Sequence, residues 1–237
     1  MALPRSAAIA AALLAVAPSV FGAERRGRVA WQGQPPAASV LNLEDMASRD
    51  TLEGCGATRR VSQRLLIGPD GGIANVVVWI DTGQAAPASD GHVPQTVRIE
   101  QEGCAFIPHV VVMRPGQTLA VGNSDPITHD VRIFQDRTMV INTFQDAKAP
   151  PVVRRFDAPG RYLIRCGLHQ WMYAWAVVAE GGTYAVTGSD GRFTMNLPPG
   201  RHRLRLWHET LGERTRDIDV AASGQGELVV WLKGEGE

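Results

Sequence analysis

The sequence is short of the features that mark most large functional classes. Its 24 basic and 24 acidic residues cancel, so no bulk field is present to hold nucleic acid or an anionic membrane surface. Neither a phosphate-binding glycine loop nor a helical zinc motif occurs, and helical periodicity is weak beyond the first residues. No paired-carboxylate or nucleophile–base motif stands out, which removes the common hydrolytic chemistries. Apart from one run near the start, no apolar segment approaches the length of a bilayer crossing, so stable membrane insertion is not expected. Cysteine is scarce too: Cys55, Cys104 and Cys166 are the whole supply.

The apolar run near the start, residues 7–17, follows Arg5, breaks at Pro18 and leads into small residues at Gly22 and Ala23. That is the layout of a cleaved secretory leader over 1–23, which implies a periplasmic or otherwise extracytoplasmic protein; the alternative is an uncleaved N-terminal anchor. The remainder carries ordinary apolar content for a folded chain and a dense series of short Val- and Ile-rich segments punctuated by Gly and Pro, at 72–80, 96–100, 109–113, 118–122, 130–134 and 161–166. Such a series predicts an all-β sandwich. Three Pro-Gly corners, Pro115-Gly116, Pro159-Gly160 and Pro199-Gly200, suit type II turns between extended segments. Further strand signals follow from 184 to 232; at 201–207 Leu204 and Leu206 share one face and Arg203 and Arg205 the other. This parity turns His208 inward or to an edge. Trp31, Trp79, Trp207 and Trp231 fall in predicted strands and are expected to fill a core or a seam.

The chemistry concentrates in Cys166-Gly167-Leu168-His169-Gln170-Trp171-Met172, which comes straight off a predicted strand. A thiolate, an imidazole and a thioether lie within seven residues. A second imidazole is offered by His129, at the end of the loop Asn123-Ser124-Asp125-Pro126-Ile127-Thr128. Two imidazoles and a thiolate with a weak axial methionine form the set that serves copper cycling between its two oxidation states. Taken singly, each residue has a plain reading: Cys166 a small buried hydrophobe, the histidines capped or exposed, Met172 core filler. It is their joint order and spacing that points to a metal. His109 with Cys104, joined by His208 and Glu209, offers a second cluster, but four ligands of suitable spacing are not evident there.

The Asn-containing loop ending in His, followed later by Cys-x-x-His-x-x-Met, resembles the cupredoxin family, and the short ligand spacing is similar to that of the amicyanins, blue copper carriers of methylamine oxidation. Gly103-Cys104-Ala105-Phe106-Ile107-Pro108-His109-Val110 and Trp171-Met172 resemble cupredoxin-like proteins of methylamine utilisation, over about the central half of the chain. The resemblance implies one type 1 copper ion held by His129, Cys166 and His169 with Met172 axial, and single-electron carriage rather than an enzyme. The implied partners are a quinoprotein-type dehydrogenase as donor and a c-type cytochrome as acceptor, with Trp171 and Trp175 flanking the loop as further contacts. A copper carrier or sensor, or a structural surface module, is the alternative. No His-x-His pair is present to build the extra centres of a multicopper oxidase.

Cupredoxins usually place asparagine after the first histidine, whereas this chain has Asp130; an ionised carboxylate there would favour oxidised copper. Asn123 and Asp130 are thus the expected supporting residues. With Cys166 on the metal, a disulfide between Cys55 and Cys104 is the simplest use of the other two thiols in an oxidising compartment, against two free thiols. The tail, with Ser189-Asp190-Gly191-Arg192-Phe193 and Leu197-Pro198-Pro199-Gly200, resembles the carboxypeptidase regulatory-like, transthyretin-like sandwiches, and Gly27-Arg28-Val29 looks like the first strand of that module. The expected organisation is therefore a cupredoxin-like Greek-key sandwich over 66–180, inserted into a second, transthyretin-like sandwich made of 24–65 and 181–237.

Overall fold

The computed structural model describes residues 23–80, 95–179, 181–221 and 226–233; the expected leader lies outside them as far as residue 22. The chain begins with β1 (Ala23–Trp31), makes an excursion through β2 (Val40–Asn42), α1 (Arg49–Cys55) and β3 (Arg59–Val61), and returns as β4 (Val77–Ile80). It then runs through β5 (Thr96–Gln101), β6 (Phe106–Ile107), β7 (Val110–Met113), β8 (Gln117–Asn123), β9 (His129–Gln135) and β10 (Thr138–Gln145). Next come β11 (Val152–Phe156), β12 (Gly160–Arg165) and β13 (Tyr173–Val178). The tail supplies β14 (Thr183–Val186), β15 (Arg192–Leu197), β16 (Gly200–His208), β17 (Gly212–Val220) and β18 (Leu228–Leu232). The described chain is all-β but for α1 and a 3-10 turn over Leu43–Asp45, as the strand signals predict.

Two pairs of sheets enclose two cores. The sheet β10-β9-β12-β13-β7 faces the sheet β11-β8-β5-β6, and between them lie Ile99, Leu119, Val121, Val131, Ile133, Ile164 and Ala174, with Cys166, Trp171 and Met172 in the same apolar cluster. The sheet β15-β1-β18 faces β14-β4-β16-β17 over Val29, Ile73, Val78, Phe193, Leu197, Leu204 and Leu206. A third, smaller cluster joins the pairs: Val77 and Trp207 from β4 and β16 meet Val110 and Val177 from β7 and β13. Neighbouring residues of β4 thus point into different cores, Val77 into the seam and Val78 into the sandwich. A strand covered on both faces is a continuous apolar run rather than an alternating one, and Val77-Val78-Trp79-Ile80 is such a run.

The expected boundaries shift accordingly. β4 falls inside the expected 66–180 segment, yet it pairs with β14 and β16 of the tail. Leu43 and Cys55 belong to the expected 24–65 segment, yet they are buried in the core that holds Cys166. β1 does pair with β15 and β18. That junction needs glycine: Gly191 has φ +75°, and a Cβ on Gly72 would stand 1.9 Å from the Asp190 carbonyl oxygen.

α1 is the one α-helix among the described residues, and periodicity does not signal it. Seven residues are too few to show a 3.6 period, but the caps are readable: Ser48 accepts a hydrogen bond from the Thr51 amide, and Gly56 closes the helix at φ +66°. Trp231 also departs from expectation, since it is 54% exposed; along β18 Val230 and Leu232 face the core, so alternation puts Trp231 and Val229 on the outer face. Trp31 and Trp207 are buried.

His208 is buried at the seam, as its parity predicts. Its Nδ1 accepts the amide protons of Thr210 and Leu211 at 3.2 and 3.4 Å, which leaves the ring proton on Nε2. Burial, with the opposing pull of Glu209 and the push of His109, lowers its pKa from 6.5 to about 4. Between those values the unfolded chain binds more protons than the folded one, so the stability His208 contributes is whole above pH about 6.5 and is lost as pH falls towards about 4. The shift amounts to roughly 3 kcal/mol. Urea unfolding across this window should show stability dropping with acid, and His208→Gln should flatten that part of the profile; an unchanged profile in the variant would assign the acid sensitivity elsewhere.

Candidate metal centre

The loop carrying Cys166, His169 and Met172 is a hairpin connection. Arg165 and Tyr173 are partners in the β12–β13 ladder, so the seven residues between them must close on themselves. They do so through Cys166 N–H to the Met172 carbonyl at 3.1 Å and Met172 N–H to the His169 carbonyl at 2.9 Å. This winding returns the His169 ring to the sulfur: Nδ1 lies 3.6 Å from Cys166 Sγ. β9 pairs with β12, Arg132 opposite Arg165, which carries the start of β9 to the same end of the sandwich. His129 Nδ1 is 3.8 Å from Cys166 Sγ and 2.8 Å from His169 Nδ1.

The three sides of that triangle put the point equidistant from its corners about 2.0 Å from each atom, the length of a bond from imidazole nitrogen to a first-row divalent metal. His129, Cys166 and His169 are therefore spaced to take one ion among them. All three are buried, as is Met172, which lines the same core. Burial pushes the Cys166 thiol pKa up, against the backbone amides of Asp130, His169 and Leu168 that point at the sulfur. Burial also lowers His169, helped by the neighbouring His129. Protein alone thus favours a thiol at Cys166 and a neutral imidazole at His169; a metal ion held there would take the sulfur as thiolate and the free lone pair of the ring.

The second nitrogen of His129 is held by Asp125, whose Oδ2 lies 2.8 Å from Nε2. Asp125 also accepts the amides of Gly103 and Cys104 at 2.5 and 2.8 Å. Its burial raises the carboxyl pKa, but the bonds from His129, Cys104 and Gly103 outweigh this and hold it below the usual carboxylate range. A carboxylate on the far nitrogen fixes the tautomer that leaves Nδ1 free for a metal. The sequence reading does not single out Asp125, although its position four residues before His129 was a usable signal.

Asp130 is fully buried and joins the two ligand loops by accepting the Gly167 amide. Its other oxygen takes Arg132 Nε at 2.7 Å, so the centre faces an ion pair rather than the lone anion expected from sequence. Asn123 does not touch His129; its Nδ2 donates to the carbonyls of Ile127, Gln145 and Asp146 at 3.0 to 3.2 Å, and its Oδ1 accepts the Asp125 amide at 3.0 Å. It shapes the loop that delivers Asp125 and His129.

Cys55 and Cys104 are joined in a disulfide. Among the described residues, the other convergent group of ligand-type side chains is Cys104, Asp125 and His129, and the disulfide takes its sulfur. The cluster read around His109 does not form with Cys104: His109 Nε2 instead meets Glu209 at 2.5 Å, and Glu209 also accepts Trp175 Nε1 at 3.2 Å. Trp175 packs edge-on against Trp207 with ring centroids 5.3 Å apart, and Trp171 is 7% exposed. Trp171 thus faces inward, whereas Trp175 is partly buried beside the seam.

No family model matches the chain, and no curated protein matches it in sequence. Among solved structures it is similar to a purple cupredoxin from Nitrosopumilus maritimus, at 16% identity and TM-score 0.31 over 35% of this chain and 98% of that one. It is similar to amicyanin from Paracoccus versutus at 18% identity and TM-score 0.33, over 43% of this chain and 97% of the other. A copper-containing nitrite reductase from Thermus scotoductus matches at 22% identity and TM-score 0.33, over 41% of this chain and 26% of that one. At these scores the likenesses carry no weight for the chemistry, which rests on the side chains.

Asn123→Ala removes a buried amide whose two protons are shared among three loop carbonyls. Stability measured by denaturant without metal should fall by roughly 2 kcal/mol; a change below about 0.5 kcal/mol, the level of an ordinary surface substitution, would show that the loop holds its shape without Asn123.

Proposed function

We propose that this protein is an extracytoplasmic type 1 copper protein that passes single electrons, with His129, Cys166 and His169 as equatorial ligands and Met172 axial. The observation that carries the reading is the convergence of two Nδ1 atoms and one sulfur within 3.8 Å of one another. Copper held by such a set supplies a one-electron couple: sulfur stabilises the reduced ion and imidazole serves both states. The chain's own part is to hold the donors still. Cys166 and His169 are fixed by the hairpin, His129 by Asp125, and Asp130 ties the loops, so the geometry changes little between oxidation states.

Burial separates this reading from its rivals. A carrier that hands copper to another protein needs ligands that a recipient can reach, whereas Cys166 and Met172 are each 1% exposed. Electrons need no such access. Leu168, beside His169 and half exposed, marks the place where a partner comes nearest to the ligand loop. A four-ligand set also leaves no open position for a substrate, which argues against an enzyme. The Cys55–Cys104 disulfide suits an oxidising compartment, and among the described residues no helix is long and apolar enough to cross a membrane. We assign the partners by chemical class, a quinoprotein-type dehydrogenase as donor and a c-type cytochrome as acceptor, meeting the protein in brief, small contacts. β1, β4 and β14 to β18 form the second, transthyretin-like sandwich in this reading, with the copper domain inserted between them.

Cu(II) added to the purified protein should give an intense copper–thiolate absorption band at about 600 nm, absent from Cys166→Ala. No such band in the unaltered protein would overturn the type 1 assignment.

A further inference from the structure

Cys104 lies between the two ligand loops and touches both with its backbone. Gly103 and Cys104 adopt left-handed conformations in succession, φ +55° and +57°. Successive residues of this kind aim their amides at one point, and here both amides meet the Asp125 carboxylate that holds His129 Nε2. The Cys104 carbonyl accepts Trp171 Nε1 at 3.1 Å. Trp171 precedes Met172, and its ring centroid is 5.2 Å from that of His169. One residue thereby reaches the first ligand through Asp125 and the second loop through Trp171.

A side chain raises the cost of a left-handed backbone, and Cys104 has one. What holds it is the excursion between β1 and β4. The disulfide joins Cys104 to Cys55 in the last turn of α1, and Arg60 donates to the Gly103 carbonyl. Leu43 and Cys55 are buried in the core that contains Cys166 and Met172. Gly54 lies against Ile127, where a Cβ would come within 2.3 Å of the isoleucine side chain, and Ile127 is two residues before His129. The excursion therefore grips the 103–104 turn and the 125–129 loop together.

We infer that residues 40–61, locked by the Cys55–Cys104 disulfide, form a clamp that sets the orientation of His129 and retards loss of the bound ion, with Cys104 and Asp125 as positioning residues. The inference rests on the copper reading above and adds to it a part for the disulfide that reaches beyond fold stability. When the disulfide is absent, the Gly103–Cys104 turn relaxes, Asp125 loses its two amide donors, and the His129 ring gains freedom to swing from the metal.

The test compares the copper-loaded protein with Cys55→Ser/Cys104→Ser and, separately, with Asp125→Asn, which keeps the disulfide and the excursion. The readouts are the rate of Cu(I) transfer to a chelator and the Cu(II) electron spin resonance hyperfine splitting, both taken well below each protein's melting temperature. The clamp predicts a thiolate band in all three, copper loss at least tenfold faster in both variants, and an altered hyperfine splitting, which a purely structural disulfide would leave alone. If the band is present and the loss rate and splitting are unchanged in Asp125→Asn, the clamp is overturned while the copper reading stands. If the double variant does not fold, Arg60→Ala, which removes the excursion's bond to the Gly103 carbonyl and keeps the disulfide, takes its place: faster copper loss there supports the clamp, and an unchanged loss rate overturns it. Absence of the band from the unaltered protein would remove the copper reading and the clamp with it.

Discussion

The register of one hairpin governs the centre. Because Arg165 pairs with Tyr173, the chain has only seven residues in which to leave β12 and enter β13, and the bonds among Cys166, His169 and Met172 are the way it closes. That closure sets the thiol, one imidazole and the thioether residue at one end of a sandwich. The pairing of β9 with β12 then leaves little choice about where His129 arrives. Slipping either ladder by one residue would reverse the faces of its side chains and scatter the set, so the sheet hydrogen bonds act as the ruler for the His129, Cys166 and His169 triangle.

Much of this was legible in sequence and some was not, for physical reasons. The spacing of Cys166, His169 and Met172 is local, so their proximity follows from any tight connection between strands. His129 came from its place at the end of a polar loop, since the partner of a strand cannot be read from the strand itself. β4 illustrates the same difficulty: an apolar run covered on both faces carries no mark of its neighbours, and the expected boundary at 66 fell on its wrong side. α1 was invisible to periodicity, being two turns long. Asp125 lies four residues upstream of His129, and only the folded loop shows that its carboxylate reaches the ring. Trp231 shows that an aromatic residue in a strand is not thereby in a core.

The two sandwiches touch through surfaces of unlike character. Val77, Val110, Val177 and Trp207 make an apolar contact, while His109, Glu209 and Trp175 form a buried polar link beside it. The polar link is costly to bury and rewards one relative placement of the sheets, since displaced partners would leave polar groups in a dry seam. Tyr173 begins β13 immediately after Met172, and its ring lies edge-on to His109, with centroids 5.1 Å apart. The seam and the 166–172 loop are thus consecutive along the chain, and the second sandwich braces the strand that this loop enters.

The central claim is that two imidazoles and one thiolate hold the same ion. Copper-edge X-ray absorption of the loaded protein measures this directly, by neighbour type and distance. The predicted result is one sulfur at about 2.2–2.3 Å and two nitrogens at about 2.0 Å; a shell of nitrogen and oxygen with no sulfur at bonding distance would contradict it.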